Sequence, residues 1–180
     1  MAVLEILTYP NPLLKQTSAA VEQIDEQVLA FIADLEETLN SFPGCVGIAA
    51  PQTGMLKRII AIDVSRNRKP VANNGPMVLI NPRIEWQEGE EVAREGCLSI
   101  PDFTANVRRA SRIRCSAISP GGTPILLETS GFEARVILHE ADHLDGYLFL
   151  DRVTSLKTDV FRRKRYAVPE PSASAATGET

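Results

Sequence analysis

The stretch His139-Glu140-Ala141-Asp142-His143 contains both histidines of this 180-residue chain, four positions apart. On a helix of about 3.6 residues per turn, side chains four apart lie on one face, so the two imidazoles point the same way. Phe132 and Val136 extend that face with apolar side chains. We therefore predict a helix over 132–145 that packs into the fold and is ended by Gly146.

A pair of histidines with a glutamate between them is typical of a hydrolytic metal site. Two neutral ring nitrogens can bind one transition-metal ion, and Glu140 then lies close enough to accept a proton from water. The alternative is that His139 and His143 are ordinary core residues. That alternative leaves Glu140 as an acid beside an apolar face without a partner, which is costly, so the metal site is the better hypothesis.

A catalytic site of this kind usually has three protein ligands and one open position, so a third ligand is expected. In protease families with the same motif it lies downstream, but here Phe149 stands at one such position and the first later glutamate is Glu170. Asp145 and Asp151 are nearer, but are better placed to cap or solvate the helix end. A cysteine is the stronger candidate, because a thiolate binds borderline divalent metals tightly.

The composition narrows the class of protein. A chain of 180 residues is the size of one domain, and 44% hydrophobic with 23% charged residues is ordinary for a globular protein. The net charge of −4 gives no overall attraction to nucleic acid. No run reaches the roughly 18 apolar residues of a membrane span, and no secretory signal is seen. Three cysteines are too few for a disulfide scaffold and fit a reducing cytoplasm.

The order helix, many strands, helix indicates a single-domain α+β fold, with mostly antiparallel sheets packed around a central metal-binding helix. Helical spacing predicts a short helix over 11–17 and an N-terminal helix over 28–39, with Asp25 as its N-cap. A C-terminal helix is predicted over 155–166. Residues 1–168 would form the catalytic domain, and the Pro/Ser/Ala-rich residues 169–180 a disordered tail. Strands are predicted at 58–64, 77–80, 88–93, 112–118 and 124–128.

Two further sequence blocks lie upstream of the histidine motif. Gly44-Cys45-Val46-Gly47-Ile48-Ala49-Ala50-Pro51-Gln52 follows the first long helix, and Glu95-Gly96-Cys97-Leu98-Ser99 lies between strand-like segments. In this order and at these separations, the three blocks resemble the signature blocks of peptide deformylases over nearly the whole chain. Cys45 departs from the pattern, since the family usually has glycine there. We expect a tolerated variant because Gly47 and Gln52 match.

The resemblance implies hydrolysis of the formyl group from the N-formylmethionine of newly made polypeptides. It implies one divalent metal ion, Fe²⁺ above all, with Zn²⁺, Ni²⁺ or Co²⁺ as substitutes. Cys97, His139 and His143 would be its ligands, although Cys45 is a rival ligand on chemistry alone. The remaining roles implied by the resemblance are Glu140 as general acid/base, the Gln52 amide and Leu98 N–H as an oxyanion hole, and Glu95, Arg109 and Asp142 as an ion network behind the ligands. Cys115 is expected to be a buried strand thiol.

The substrate methionine needs an apolar pocket beside the metal. The candidate substrate-binding residues are Val46, Gly47, Ile48, Phe132 and Val136. Ile48 also fits a plain core position.

The same sequence pattern is compatible with other functions. A metal endopeptidase or a non-catalytic binder of formylated peptides could use the same metal helix. Lys157 and the run Arg162-Arg163-Lys164-Arg165 are either a solvated helix face or a docking surface for the ribosome, whose RNA attracts positive charge. We expect a cytoplasmic monomer that acts on N-formylmethionyl nascent peptides and does not use a membrane.

Overall fold

Two α-helices and eight strands make up residues 2–163, the part of the chain that the computed structural model describes. The helices are α1 (Glu26–Ser41) and α2 (Gly131–Leu144). The strands are β1 (Gly47–Ala49), β2 (Ile59–Ile62), β3 (Met77–Glu88), β4 (Glu91–Cys97), β5 (Ile100–Arg109), β6 (Arg112–Ile118), β7 (Pro124–Ser130) and β8 (Val160–Arg162). Short 3₁₀ turns lie at Pro12–Lys15, Ala50–Thr53, Val64–Arg66 and Phe149–Arg152.

The strands form two antiparallel sheets. One has the order β1-β2-β3-β6-β7 and the other the order β4-β5-β8. β1 and β4 are therefore edge strands of different sheets, and both carry predicted site residues. The predicted α+β class with antiparallel sheets around the metal-motif helix is confirmed.

Helix α2 is central to the fold, since ten of its 14 residues are buried. Strand β2 shows how the layers share the core: Ile60 and Ile62 pack in one cluster with the apolar face of α2. Ile59 and Ala61 point the other way and pack with α1. All four residues are buried, as expected for a strand covered on both faces. A third cluster, which includes Cys97 and Phe149, fills the space behind the three-stranded sheet.

Local chemistry sets the ends of the two helices. The Asp25 carboxylate accepts a hydrogen bond from Val28 N at 2.9 Å, which confirms the predicted N-cap of α1. Helix α2 ends at Leu144, one residue earlier than predicted, and Gly146 follows with φ of 76°, a left-handed conformation that favours glycine. Among residues 2–163, no helix is long and apolar enough to cross a membrane.

The predicted strand over 88–93 is two strands. Gly89, at φ of 68°, makes a turn that ends β3 in one sheet and starts β4 in the other. Strand β5 was not predicted, because Pro101, Asp102 and Asn106 lower its apparent β propensity. It is nevertheless the central strand of its sheet, since β4 and β8 pair with its two edges.

The predicted C-terminal helix over 155–166 is wrong in the described part. Residues 156–158 form a turn and residue 159 a bend, and β8 pairs with β5 through Val160↔Ala105, Phe161↔Thr104 and Arg162↔Phe103. Pairing satisfies the backbone groups on the second edge of β5, and this tertiary demand overrides the local helix pattern. Residues 164–166, and the predicted tail over 169–180, lie outside the described residues.

Candidate metal centre and active site

Three buried side chains from two elements converge at one point. His139 and His143 project from successive turns of α2, with ring centroids 5.1 Å apart. Cys97, the last residue of β4, brings its Sγ to 3.2 Å from His143 Nε2. One donor atom from each of the three residues lies within 4.8 Å of the other two. The structure therefore brings together the three ligands expected from the sequence, in the only such group among residues 2–163.

The cysteine is prepared to act as a thiolate. Burial alone would raise the pKa of the Cys97 thiol, but His143 and His139 facing the sulfur outweigh that effect and hold the pKa well below its usual value of 9.0. A thiolate with two imidazoles is a donor set that suits borderline divalent metals such as Fe²⁺, Zn²⁺, Co²⁺ and Ni²⁺.

Glu95 holds the first histidine from behind. Its carboxylate accepts a hydrogen bond from His139 Nδ1 at 2.8 Å, which leaves the other ring nitrogen directed toward Cys97. The same carboxylate binds Arg109 through Nε at 2.7 Å and Nη2 at 3.0 Å. Burial works to raise the pKa of Glu95, but the hydrogen bonds from His139 and Arg109 more than offset it and lower the pKa from 4.5 to about 2. Glu95 is thus an ionised anchor.

The ion network extends to the end of α2. Arg109 Nη1 also donates to Asp142 Oδ2 at 2.8 Å, so the predicted trio Glu95, Arg109 and Asp142 is one connected chain of ion pairs. Two arginines in it were missed. Arg135 Nη1 donates to Glu95 Oε1 at 2.8 Å, and Arg152 Nη2 donates to Asp142 Oδ1 at 2.6 Å.

One of the two missed arginines carried a signal in the sequence. Arg135 lies four residues before His139, one turn earlier on the same face of α2.

Phe149, at a position where a protease pattern would need a histidine, instead stacks its ring on His139 with centroids 6.2 Å apart. It supports the ligand by packing.

Glu140 faces the ligands from the other side. The residue is only 4% exposed, and its Oε2 has no hydrogen-bond partner within the described part of the chain. Burial raises the pKa of its carboxyl from 4.5 to about 7, although both nearby histidines act to lower it. A carboxyl with a pKa near neutrality can take and return a proton at physiological pH.

Gly47 is the residue that leaves room for Glu140. A methyl group built on its Cα would lie 2.6 Å from Glu140 Oε1 and 2.8 Å from Val136 Cγ1. Strand β1 therefore approaches α2 so closely that any side chain at position 47 would displace the carboxylate or the helix. Gly47 also lines the cleft beside the ligands.

Gln52 presents an amide N–H group next to Cys97. Its Oε1 accepts a hydrogen bond from Ala49 N at 2.9 Å, which sets the orientation of the amide. Its Nε2 then donates to Cys97 Sγ at 3.3 Å and to Ser99 Oγ at 3.2 Å. The side chain is buried, so this donor is held in place rather than free to rotate. Leu98, whose N–H is the other expected donor, is half-buried in the adjoining wall.

A cleft of about 310 Å³ opens over the ligands. Val46, Gly47, Phe132 and Val136 line it, as expected for substrate-binding residues. Ile48 does not: its side chain is fully buried on the opposite face of β1, in the cluster packed against α1. The period of two along a strand explains this outcome, because Ile48 points away from the cleft that its neighbours line.

The other cysteines and aspartates lie outside the ligand group. Cys45 lines the cleft and donates through Sγ to Gly47 O at 3.1 Å, and burial raises its pKa to about 12, so it is a neutral thiol. Only Asn81 among the described non-glycine residues has positive φ, so Cys45 needs no glycine-like backbone. Cys115 is a buried thiol of β6. Asp145 pairs with Arg58 at 2.6 Å and Asp151 with Lys15 at 2.6 Å.

Comparison with known proteins places this arrangement in a family. The family model described as polypeptide deformylase matches residues 3–159, which include all three sequence blocks. The chain belongs to the peptide deformylase family. A peptide deformylase of Thermodesulfovibrio yellowstonii is 40% identical over 164 residues, 91% of this chain and 97% of the relative.

Solved peptide deformylase structures have the same fold. An Ehrlichia chaffeensis peptide deformylase in complex with actinonin superposes with a TM-score of 0.81 at 32% identity, covering 87% of this chain and 92% of that one. A class I type b peptide deformylase of Acinetobacter baumannii with bound Met-Ala-Ser gives a TM-score of 0.77 at 30% identity, covering 84% of this chain and 99% of that one.

Proposed function

We infer that the protein is a peptide deformylase, a hydrolase that removes the formyl group from the N-formylmethionine of newly made polypeptides. The observation that carries the inference is Glu140, which is buried beside the Cys97–His139–His143 group in an open cleft and whose Oε2 has no hydrogen-bond partner among residues 2–163. Membership of the peptide deformylase family supports it.

Cys97, His139 and His143 would hold the metal ion. The donors fit: one thiolate and two imidazoles, all buried and mutually within 4.8 Å, with the sulfur ionised and one ring oriented by Glu95. When bound, a divalent ion supplies Lewis acidity, which makes water a stronger acid and a formyl carbonyl a stronger electrophile. We propose Fe²⁺ as the native ion, and metal analysis of anaerobically purified protein would test this. Zinc in its place would contradict the proposal.

Glu140 moves the protons of the reaction. Its free Oε2 accepts a proton from the attacking water, and the same carboxyl returns it to the nitrogen of the methionine as the C–N bond breaks. Formate and a free amino terminus are the products. A carboxyl with a pKa near 7 is equally able to take and to give the proton, which a single group serving both steps requires.

The Gln52 amide and the Leu98 N–H stabilise the oxygen that becomes negative during attack. The Gln52 donor is positioned before substrate arrives, because Ala49 N fixes the amide oxygen. A donor held in this way needs no rearrangement when charge develops.

The formylated peptide lies in the cleft as an extended chain. β1 and β4 are edge strands of their sheets and both contribute residues to the lining of the cleft, so each can pair with a peptide backbone. Val46, Phe132 and Val136 supply an apolar surface for the methionine side chain. The Acinetobacter baumannii relative binds Met-Ala-Ser, a peptide that begins with methionine.

An assay of formate release from formyl-Met-Ala-Ser by anaerobic, Fe²⁺-loaded protein tests the function. We expect turnover by the wild-type protein and by Cys115→Ala, and loss of both activity and bound iron in Cys97→Ala. Iron-loaded wild-type protein that releases no formate would contradict the proposal in favour of a non-catalytic binder. Cleavage inside an N-acetylated peptide would instead indicate an endopeptidase.

We further propose a monomer in the cytoplasm that docks on the ribosome through its basic C-terminal segment. Lys157, Arg162 and Arg163 are exposed on the three-stranded-sheet side, although not on a helix. The remaining basic residues, Lys164 and Arg165, lie outside the described part of the chain. Cosedimentation with ribosomes should weaken in Lys157→Glu/Arg162→Glu, and unchanged binding would contradict the proposal.

A further inference from the structure

The mouth of the active-site cleft carries positive charge. Five arginine and glutamate residues of the described chain line the cleft, and three of them, Glu95, Arg135 and Glu140, are buried. Glu95 and Arg135 also pair with each other at 2.8 Å. The exposed charges that remain along the described lining are Arg94 and Arg163.

Arg94 is held in place by neutral groups. Its guanidinium stacks on the ring of Phe161 in β8, with Cζ 3.5 Å from the ring centroid. Nε donates to Asn106 Oδ1 and Nη1 donates to Thr104 Oγ1, both at 3.2 Å. These contacts fix the position of the group without neutralising its charge.

Arg163 reaches the cleft from the opposite edge of the three-stranded sheet. It follows β8, and its backbone N–H donates to Asp102 O at 2.7 Å. The side chain crosses to β4: a methyl group built on Gly96 would lie 3.3 Å from Arg163 Cζ and would contact Nη2 more closely still. Gly96 therefore leaves the space through which the guanidinium passes, one residue before Cys97.

The spacing along β4 relates these arginines to the substrate. Residues 94 and 96 share one face of the strand, and each residue advances the strand by about 3.3 Å. Arg163, at Gly96, thus lies about one residue from Cys97, and Arg94 lies about three residues away, roughly 10 Å. An extended peptide whose formyl group is at the ligands advances at the same rate, so its third residue would come level with Arg94, and Arg163 would lie closer to the ligands, beside the first two residues.

We propose that Arg94 and Arg163 give this enzyme a preference for acidic side chains at the second and third residues of the formylated peptide. The proposal rests on the deformylase function and on the extended binding mode inferred above. Guanidinium groups recognise carboxylates with paired hydrogen bonds. The formal net charge of the whole chain is −4, so its long-range field would disfavour acidic peptides and a preference for them must come from these local groups.

The test compares kcat/KM for C-terminally amidated peptides that differ only in charge: formyl-Met-Asp-Ser against formyl-Met-Asn-Ser, and formyl-Met-Ala-Asp against formyl-Met-Ala-Asn. We expect a ratio of about threefold to fivefold in favour of aspartate, the effect of an exposed ion pair. The difference should be in KM, because these contacts are remote from the formyl carbon. The ratio of kcat/KM for the aspartate and asparagine peptides should fall as the salt concentration rises from about 0.05 M to about 1 M, because salt screens the attraction between charges.

Variants locate the source of the preference. Arg94→Gln and Arg163→Gln keep much of the side-chain length and should each reduce the ratio, and the double variant should bring it to about one. Arg108→Ala removes an exposed arginine of the same sheet that does not line the cleft, and should leave the ratio unchanged. Equal rates for both members of each wild-type pair would overturn the proposal, as would an equal loss in Arg108→Ala. Absence of formate from every peptide would instead contradict the deformylase function.

Discussion

Glu95 and Glu140 are two buried carboxylates that flank the same three ligands and are in opposite states. Glu95 accepts hydrogen bonds from His139, Arg109 and Arg135, and its pKa is lowered to about 2. Glu140 has an oxygen without a partner among residues 2–163, and burial raises its pKa to about 7. The first acts as a fixed charge and the second is ready to exchange a proton.

The comparison shows how one site can combine stability with reactivity. On the side of Glu95, charges are satisfied by partners from β4, β5 and α2, which orients His139 and secures the position of the ligands. On the side of Glu140, the carboxyl is buried but keeps one oxygen without a partner among residues 2–163. Substitutions on the first side should mainly affect stability and metal affinity, and those on the second side should mainly affect kcat.

The largest change in stability is expected from Glu95→Gln. The amide keeps the shape of the side chain but leaves two buried arginines short of a negative charge. We expect the free energy of unfolding to fall by about 3–5 kcal/mol, and metal affinity to fall by about 10- to 100-fold. Urea denaturation and metal titration measure these effects.

The control for this variant is Glu90→Gln on the same hairpin. Glu90 pairs with Arg108 in solvent, so the change should be below about 1 kcal/mol. Since the pKa of Glu95 is lowered from 4.5 to about 2, its contribution is complete above pH 4.5 and is lost as the pH falls toward 2. The stability gap between wild type and Glu95→Gln should narrow over that interval, and a constant gap would contradict the assigned ionisation.

Gln52→Ala tests the donor on the reactive side. Removing one preorganised donor from an oxyanion site typically lowers kcat by about 10²- to 10³-fold. Ser99→Ala is the matched control, because it removes one acceptor of the same amide and leaves the donor in place. Steady-state assays should show a much smaller loss for Ser99→Ala. Equal losses in the two variants would mean that the amide acts only as a structural contact.

Gly47→Ala tests whether the close approach of β1 serves Glu140. Overpacking of this kind costs about 1–3 kcal/mol of stability, and we expect kcat to fall because the added methyl group displaces the carboxylate. Gly121→Ala, on an exposed turn with its nearest neighbouring atom at 3.8 Å, should be neutral. A rise in KM alone would indicate that Gly47 acts on substrate rather than on Glu140.

Parts of the site differ in how directly the sequence predicts them. The histidine pair and Glu140 lie within five residues on one helix, so helical periodicity alone related them. The choice of Cys97 over Cys45 as ligand depended on family resemblance. The fold class followed from the order of elements, because α2 and the strands before it carry clear patterns.

What the sequence did not predict depends on contacts between distant segments. The C-terminal strand β8 forms because it pairs with the free edge of β5. β5 itself was not predicted, because its polar residues lower the local β propensity and the strand is stabilised by pairing on both edges. Arg152 joins the ion network from the 3₁₀ turn Phe149–Arg152, and no local sequence pattern indicates that this turn lies beside Asp142. Ile48 was expected in the substrate pocket but is a core residue. Strand β1 has only three residues, which is too few for the sequence pattern to show which face of the strand is buried.

The proton-transfer role of Glu140 is the central claim, and Glu140→Gln tests it most directly. The amide keeps the size of the side chain but cannot take a proton, so formate release from formyl-Met-Ala-Ser should fall by at least about 10²-fold. Stoichiometric iron and wild-type or higher stability should be retained, because a buried carboxyl with an unpaired oxygen is removed. A variant that binds iron and keeps more than one tenth of the wild-type kcat would contradict the account.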